Sequence, residues 1–172
     1  MSAPATTPTH IVVMGVSGSG KTTVGEALAE ALGWPFVEGD SYHPAANIAK
    51  MSAGHPLDDD DRRPWLEALA ARIGQDDAAG HSSVVGCSSL RRSYRDILRT
   101  GAPDVRFLHV HGDRELLARR LGHRPGHFFP PALLESQFAA LEPLGPDENG
   151  VVVDIAAPVP EMVTEARRAF GV

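Results

Sequence analysis

The run Gly15-Val16-Ser17-Gly18-Ser19-Gly20-Lys21-Thr22 narrows the architectures open to this chain more than any other stretch. It follows the apolar segment Ile11–Met14 without a gap. It leads directly into a segment whose Val24, Leu28, Ala31 and Leu32 share one helical face, with Gly33 as the stop signal. Strand, glycine-rich turn and helix N-terminus in that order make a phosphate cradle, the P-loop. Glycines let main-chain amides approach phosphate oxygens with no Cβ in the way. The positive end of the helix dipole adds to their pull. The spacing assigns Lys21 to the β- and γ-phosphates of ATP and the Thr22 hydroxyl to Mg²⁺. Gly15, Val16, Ser17, Gly18, Ser19, Gly20 and Thr23 are the expected remainder of the nucleotide site.

Further strand candidates are Pro35–Val37, Ser83–Cys87, Val105–Val110 and Val151–Ile155. Between them run helical stripes: Trp65 or Leu66 with Leu69 and Ile73, then Leu90, Tyr94, Ile97 and Leu98, then Leu116, Leu117 and Leu121. This alternation predicts an α/β fold with a mostly parallel sheet covered on both faces, and ligands at the carboxyl ends of its strands. A length of 172 residues, 42% of them apolar, suits one domain. It is expected over residues 10–172, behind a short disordered lead-in of residues 1–9. That lead-in lacks the build of a signal peptide. No apolar run approaches the roughly 20 residues that a membrane-spanning helix requires. The single Cys87 permits no internal disulfide, which agrees with a reducing cytoplasm; it is expected to be buried and inert. A net charge of −6 argues against nucleic acid or anionic membrane as a partner. An aromatic content of 6% leaves no stacking track for an RNA or DNA strand. Yet between Arg91 and Arg124 nine arginines stand against four acids, a concentration that suits a small-anion site.

After the second strand candidate comes Glu38-Gly39-Asp40-Ser41-Tyr42-His43-Pro44. At a strand end across from the cradle, Asp40 would accept a proton from an attacking hydroxyl or orient it. It would equally cap the helix that follows. His43 either meets a substrate or braces the turn before Pro44. The carboxylates Asp58–Asp61 diverge around a helix start, so they do not converge on one ion; Asp58 and Asp60 are read as serving the helix dipole. Trp65 falls at core spacing. His109 and His111 share a strand face but lack a third ligand nearby. The stretch Gly122–Pro131 predicts a mobile lid, with Arg124 and His127 as the polar groups that fold over the phosphates and exclude water.

Longer elements accompany the cradle. They are Glu38-Gly39-Asp40-x-x-His43-Pro44, Asn47-x-x-Lys50-Met51, Gly54-x-Pro56-Leu57-x-Asp59-x-Asp61-Arg62-x-Pro64-Trp65-Leu66 and Cys87-Ser88-x-Leu90-x-Arg92-x-Tyr94-Arg95-Asp96. Gly126-His127-Phe128 and Ser136-Gln137-Phe138 complete the set. Through them the chain resembles the gluconate kinases of the shikimate-kinase-like P-loop group, from His10 to about Arg168. The resemblance implies a P-loop NTPase fold with a five-stranded parallel sheet, helices on both faces and a mobile lid. It implies phosphoryl transfer from ATP to the 6-hydroxyl of D-gluconate with Mg²⁺ as cofactor, in a family whose members are often homodimers. It places Arg120 against adenine, with Ala156-Ala157-Pro158 as the other wall of that pocket. Lys21, Asp40 and Arg124 would then be catalytic. Gluconate's carboxylate suits paired bonds from an arginine, for which Arg62, Arg91, Arg92 and Arg95 are the candidates. Asp40, His43 and His127 would meet the rest of the sugar acid, and Asp59 and Asp61 would hold Arg62. Three positions depart from the family pattern: Glu38 for Asp, Ser89 for Ala and Arg91 for Lys. Alternatives left standing are a kinase for a related sugar acid or polyol, and a nucleotide-binding regulator that transfers nothing.

Overall fold

The computed structural model describes residues 6–122 and 131–172. Most of the expected lid, with Arg124 and His127, lies outside the described residues. In chain order the elements are β1 (His10–Met14), α1 (Lys21–Leu32), β2 (Phe36–Glu38), a 3-10 turn (Gly39–Tyr42), α2 (Ala45–Ser52), α3 (Asp59–Ala78) and β3 (Ser83–Gly86). Then come α4 (Arg92–Arg99), β4 (Val105–His111), α5 (Arg114–Gly122), α6 (Pro131–Ala140), β5 (Gly150–Asp154) and α7 (Val159–Phe170). The five strands pair in parallel in the order β2-β3-β1-β4-β5. Every predicted strand is present to within one residue at each end. Helices α2, α6 and α7 had no stripe in the sequence reading. In α2 the reason is visible, since it buries Asn47 and leaves Ile48 and Met51 exposed.

β1 runs through the centre, and all five of its residues are buried. Ile11 and Val13 pack on one layer with Val24, Leu28, Leu117 and Met162. Val12 and Met14 pack on the other with Trp65, Leu66, Leu69 and Leu98. A strand covered on both faces must be apolar on both, which is why this one reads as an unbroken hydrophobic run. α1 ends as expected, at a left-handed Gly33 with φ 70° whose amide bonds back to the last turn. α3 opens on a reciprocal capping box: the Asp61 amide donates to Asp58 at 2.8 Å and the Asp58 amide donates to Asp61 at 3.0 Å. α4 begins two residues after Leu90, because Ser89 turns the chain through a left-handed conformation with φ 50°. Thr9 is buried, its amide donating to Ser82 Oγ and its hydroxyl to Asp104, both at 3.0 Å.

From β1 the chain crosses to β2, returns to β3, then passes over β1 to β4. The loops after β1 and β3 therefore open side by side at the carboxyl edge, where such sheets form their crevice. The Gly15 amide donates to the Ser88 carbonyl at 3.2 Å and joins those two loops.

Candidate active site

The cradle is built by β1 and the first turn of α1. Gly15 has φ 153°, and a Cβ there would lie 2.7 Å from both the Val110 carbonyl oxygen and Ser19 Oγ, so no side chain fits. The Ser19 hydroxyl donates to the Val16 carbonyl at 2.7 Å and Lys21 Nζ donates to the same oxygen at 3.2 Å. Gly20, left-handed at φ 87°, stands at the N-cap of α1 with no side-chain cap. A helix N-terminus without a side-chain cap is the arrangement that suits an anion. Beside it lies a cleft of about 740 Å³ whose walls include Gly18, Thr23, Arg120, Ala156, Ala157 and Pro158. Arg120 donates to the Ile155 carbonyl at 2.9 Å and so ties α5 to the end of β5 at this cleft. Gln137 of α6 was given no role from sequence. It accepts from the Ser17 amide at 2.6 Å and donates to the Ser17 hydroxyl at 2.8 Å. The signal was the Ser136-Gln137-Phe138 element, which carries no chemistry readable without its partner 120 residues away.

On the other side of the cradle, the Thr22 hydroxyl donates to Glu38 Oε2 at 2.7 Å. Glu38 also caps the 3-10 turn, accepting from the Asp40 amide. The helix that follows, α2, has Pro44 at its N-cap and no side-chain cap, so Asp40 does not cap it, and the Asp40 side chain stays exposed. Its backbone is held by Gly39, whose added Cβ would come 2.1 Å from the Gly86 carbonyl, and by Trp65 Nε1, which donates to the Gly39 carbonyl at 2.8 Å. Thr22 and Glu38 present hard oxygen donors at the mouth of the cradle. They fit Mg²⁺, which takes one or two protein oxygens and completes its shell with phosphates and water. Cys87 is buried beneath this region. Burial pushes its thiol up to about 11; bonds from Ser89 oppose this, Lys21 pulls it down and Asp40 pushes it up. The thiol is inert.

The arginine candidates separate cleanly. Arg95 is fully buried and all of its nitrogens are spent inside the protein. Nε and Nη2 clamp Glu148 at 2.8 and 2.9 Å, Nη1 serves the Ser89 and Leu90 carbonyls, and Nη2 also reaches the Pro143 carbonyl. It is a structural clamp and has no face for a substrate, which corrects the expectation for it. Arg92 is likewise turned outward, into a fork with Asp147. Arg62 and Arg91 remain. Arg62 donates to the Tyr94 hydroxyl at 3.1 Å and lies 3.9 Å from Asp59, to which Tyr94 also donates. Burial and the Asp59 bond raise the Tyr94 hydroxyl, while Arg62 and Arg91 both lower it; the Arg62 guanidinium stands over the ring, 5.4 Å from its centre. Asp61 does not hold Arg62. It pairs with Lys50 and completes the cap of α3.

His43 stacks on Trp65 with ring centres 4.0 Å apart and 19° between planes. Burial lowers its pKa, Asp40 draws it up and Arg62 pushes it down. Asp40, His43 and Arg62 thus share one electrostatic environment. His109 is held to about 4 by burial, His111 and Arg95, so it carries no charge at neutral pH. It meets His111 edge-on at 5.3 Å. Among the described residues no group of three or more such side chains is placed to hold a metal ion. No described helix is long and apolar enough to cross a membrane.

The family model described as AAA domain matches residues 11–144. A gluconokinase of Gluconobacter oxydans is 51% identical over 141 residues, covering 82% of this chain and 79% of the relative. The thermosensitive gluconokinase of Escherichia coli is 46% identical over 159 residues, covering 92% and 85%. Among solved structures, a gluconokinase from Sinorhizobium meliloti aligns with a TM-score of 0.85 at 52% identity, covering 96% of this chain and 93% of that one. With identity of this order spanning both the cradle and the acceptor turn, the chain belongs to the gluconokinase family.

Proposed function

We propose that this chain transfers the γ-phosphoryl group of ATP to the 6-hydroxyl of D-gluconate, giving 6-phospho-D-gluconate and ADP. The observation that carries this reading is the link through Glu38, which accepts from the Thr22 hydroxyl at 2.7 Å and from the Asp40 amide and so ties the phosphate cradle to the turn that bears an exposed carboxylate. Phosphoryl transfer asks for little more than alignment and charge stabilisation. The cradle between Gly15 and Thr22, with Lys21, holds the β- and γ-phosphates, while Arg120 and Ala156–Pro158 hold adenine. Asp40 orients the attacking hydroxyl and takes its proton. Arg62 and Arg91 grip the carboxylate, and His43 holds a hydroxyl. Thr22, with Glu38 behind it, would hold Mg²⁺, which neutralises phosphate charge when bound. Arg124 and His127 enter the proposal from sequence alone, as do a single kinase domain over 10–172, a cytoplasmic location and a homodimer; sedimentation of the purified chain checks the last.

A coupled ADP-release assay with and without gluconate is the direct test, followed by a panel of sugar acids and polyols. Gluconate-dependent release supports the proposal. Release indifferent to any acceptor, or a clear preference for another one, overturns it.

A further inference from the structure

We infer that Asn47 locks His43 in its neutral Nε2–H tautomer, so that His43 offers the acceptor cleft a hydrogen-bond donor and not a base. This deepens the reading above and rests on it for the nature of the acceptor. The argument begins at Asn47, which is only 4% exposed although it is polar. Its Nδ2 lies 2.9 Å from the Asp61 carbonyl oxygen and 3.2 Å from His43 Nδ1. A main-chain carbonyl can only accept, so the Asn47 atom facing it is the NH₂ group and not the amide oxygen. Chemistry therefore settles the orientation of this side chain, which shape alone would leave open. An NH₂ group has two hydrogens and both are donors. One goes to Asp61, and the other points at His43 Nδ1. That nitrogen must then be the acceptor, and the ring proton sits on Nε2.

The surroundings hold this state in place. Trp65 covers one face of the imidazole, and Trp65 is itself pinned through Nε1 to Gly39. The Nδ1 edge is closed by the buried Asn47, one turn into α2, which leaves Nε2 on the opposite edge of a half-exposed ring. A second proton, on Nδ1, would set N–H against N–H and break the link to Asp61. The charged groups facing the ring come from two elements. Asp40 on the 3-10 turn favours protonation and Arg62 on α3 opposes it. Burial is the largest influence and opposes it too. Asp61, the other nearby carboxylate, is engaged by Lys50 and by the Asp58 amide.

The consequence is a division of labour. Asp40 keeps its negative charge free of an imidazolium partner and is the base of the pair. His43 donates to the oxygen of a neutral hydroxyl, the group a polyhydroxy acid supplies in quantity. Asn47 is a positioning residue that acts through His43.

The test is long-range ¹H–¹⁵N correlation spectroscopy on the full chain labelled at its eight histidines, with His43 assigned by comparison with His43→Gln. At neutral pH, without ligand, His43 should show an unprotonated Nδ1 and a protonated Nε2. Added gluconate should shift the Nε2 resonance and leave the tautomer as it was. A protonated Nδ1, in either the other tautomer or the imidazolium, overturns the inference. The Asn47→Asp variant replaces the donor with an acceptor. His43 should then carry a proton on Nδ1; where the spectrum shows that Nε2 has lost its proton, KM for gluconate should rise roughly three- to tenfold, the worth of one hydrogen bond, with KM for ATP unmoved. A folded Asn47→Asp protein with the wild-type pattern at His43 also overturns it. Should the variant fail to fold, the wild-type spectrum decides alone. That spectrum is read without turnover, so lack of gluconate kinase activity would sink the proposed function and not the tautomer.

Discussion

The hydroxyl of Thr22 donates to Oε2 of Glu38 across 2.7 Å, while the other carboxylate oxygen of Glu38 accepts from the Asp40 amide. One side chain thus couples the first turn of α1 to the turn that carries Asp40. Both oxygens of a single carboxylate are used in this link. Glu38→Gln keeps an acceptor for the Asp40 amide but removes the charge. The apparent Mg²⁺ requirement should rise about 10- to 100-fold, the usual scale for a partner of a metal ligand, with turnover recovering at high Mg²⁺. A Mg²⁺ titration identical to wild type would remove Glu38 from the metal's surroundings.

Lys21→Ala should reduce turnover by at least about 10²- to 10³-fold, because it removes the cation aimed at charge on the transferring phosphoryl group. The cradle's amides remain, so nucleotide binding should weaken and not vanish. Steady-state kinetics beside ATP titration calorimetry separate the two, and near-normal turnover would refute the cradle assignment.

Asp40→Asn should leave KM for ATP nearly unchanged while kcat falls by roughly 10² to 10⁴, the span for a lost general base. Because Glu38 caps the turn, this variant should unfold at the wild-type temperature. A large drop in melting temperature with kcat intact would return Asp40 to a structural role.

The clamp between Arg95 and Glu148 makes a prediction about stability. Burial alone would raise the Glu148 carboxyl above its ordinary 4.5; the Arg95 guanidinium, the Gly145 amide and Arg99 outweigh it and hold it at about 2. A depressed folded-state value means that the unfolded chain binds the proton more readily. The contribution is therefore fully present above 4.5 and is lost as pH falls through about 2. Glu148→Gln should cost about 3–5 kcal/mol at neutral pH, since it strands a buried guanidinium. In thermal melts the gap between variant and wild type should narrow as pH drops toward the folded-state value. A gap that is independent of pH would show that the charge of Glu148 is not what stabilises the clamp.

Much of this molecule is written locally in its chain. Strand β1, the cradle, the helix after it and the Gly33 stop could be read because each depends on neighbours within a few residues: a run of apolar side chains, a set of glycines, a 3.6-residue stripe. The α/β class followed from the alternation of such segments. Which arginine faces a substrate did not, because Arg62, Arg91, Arg92 and Arg95 are alike as residues and differ only in what the fold sets opposite them. Arg95 met Glu148 from 53 positions away, and Gln137 met Ser17 from 120. The same holds for Asp40, which caps no helix because α2 starts from Pro44 without a side-chain cap, and for Asn47, whose two donors acquire meaning only once α3 brings the Asp61 carbonyl beside His43. Periodicity and turn chemistry act over one or two turns of chain, whereas the pairing of polar groups depends on which strand ends and helices the β2-β3-β1-β4-β5 order makes neighbours.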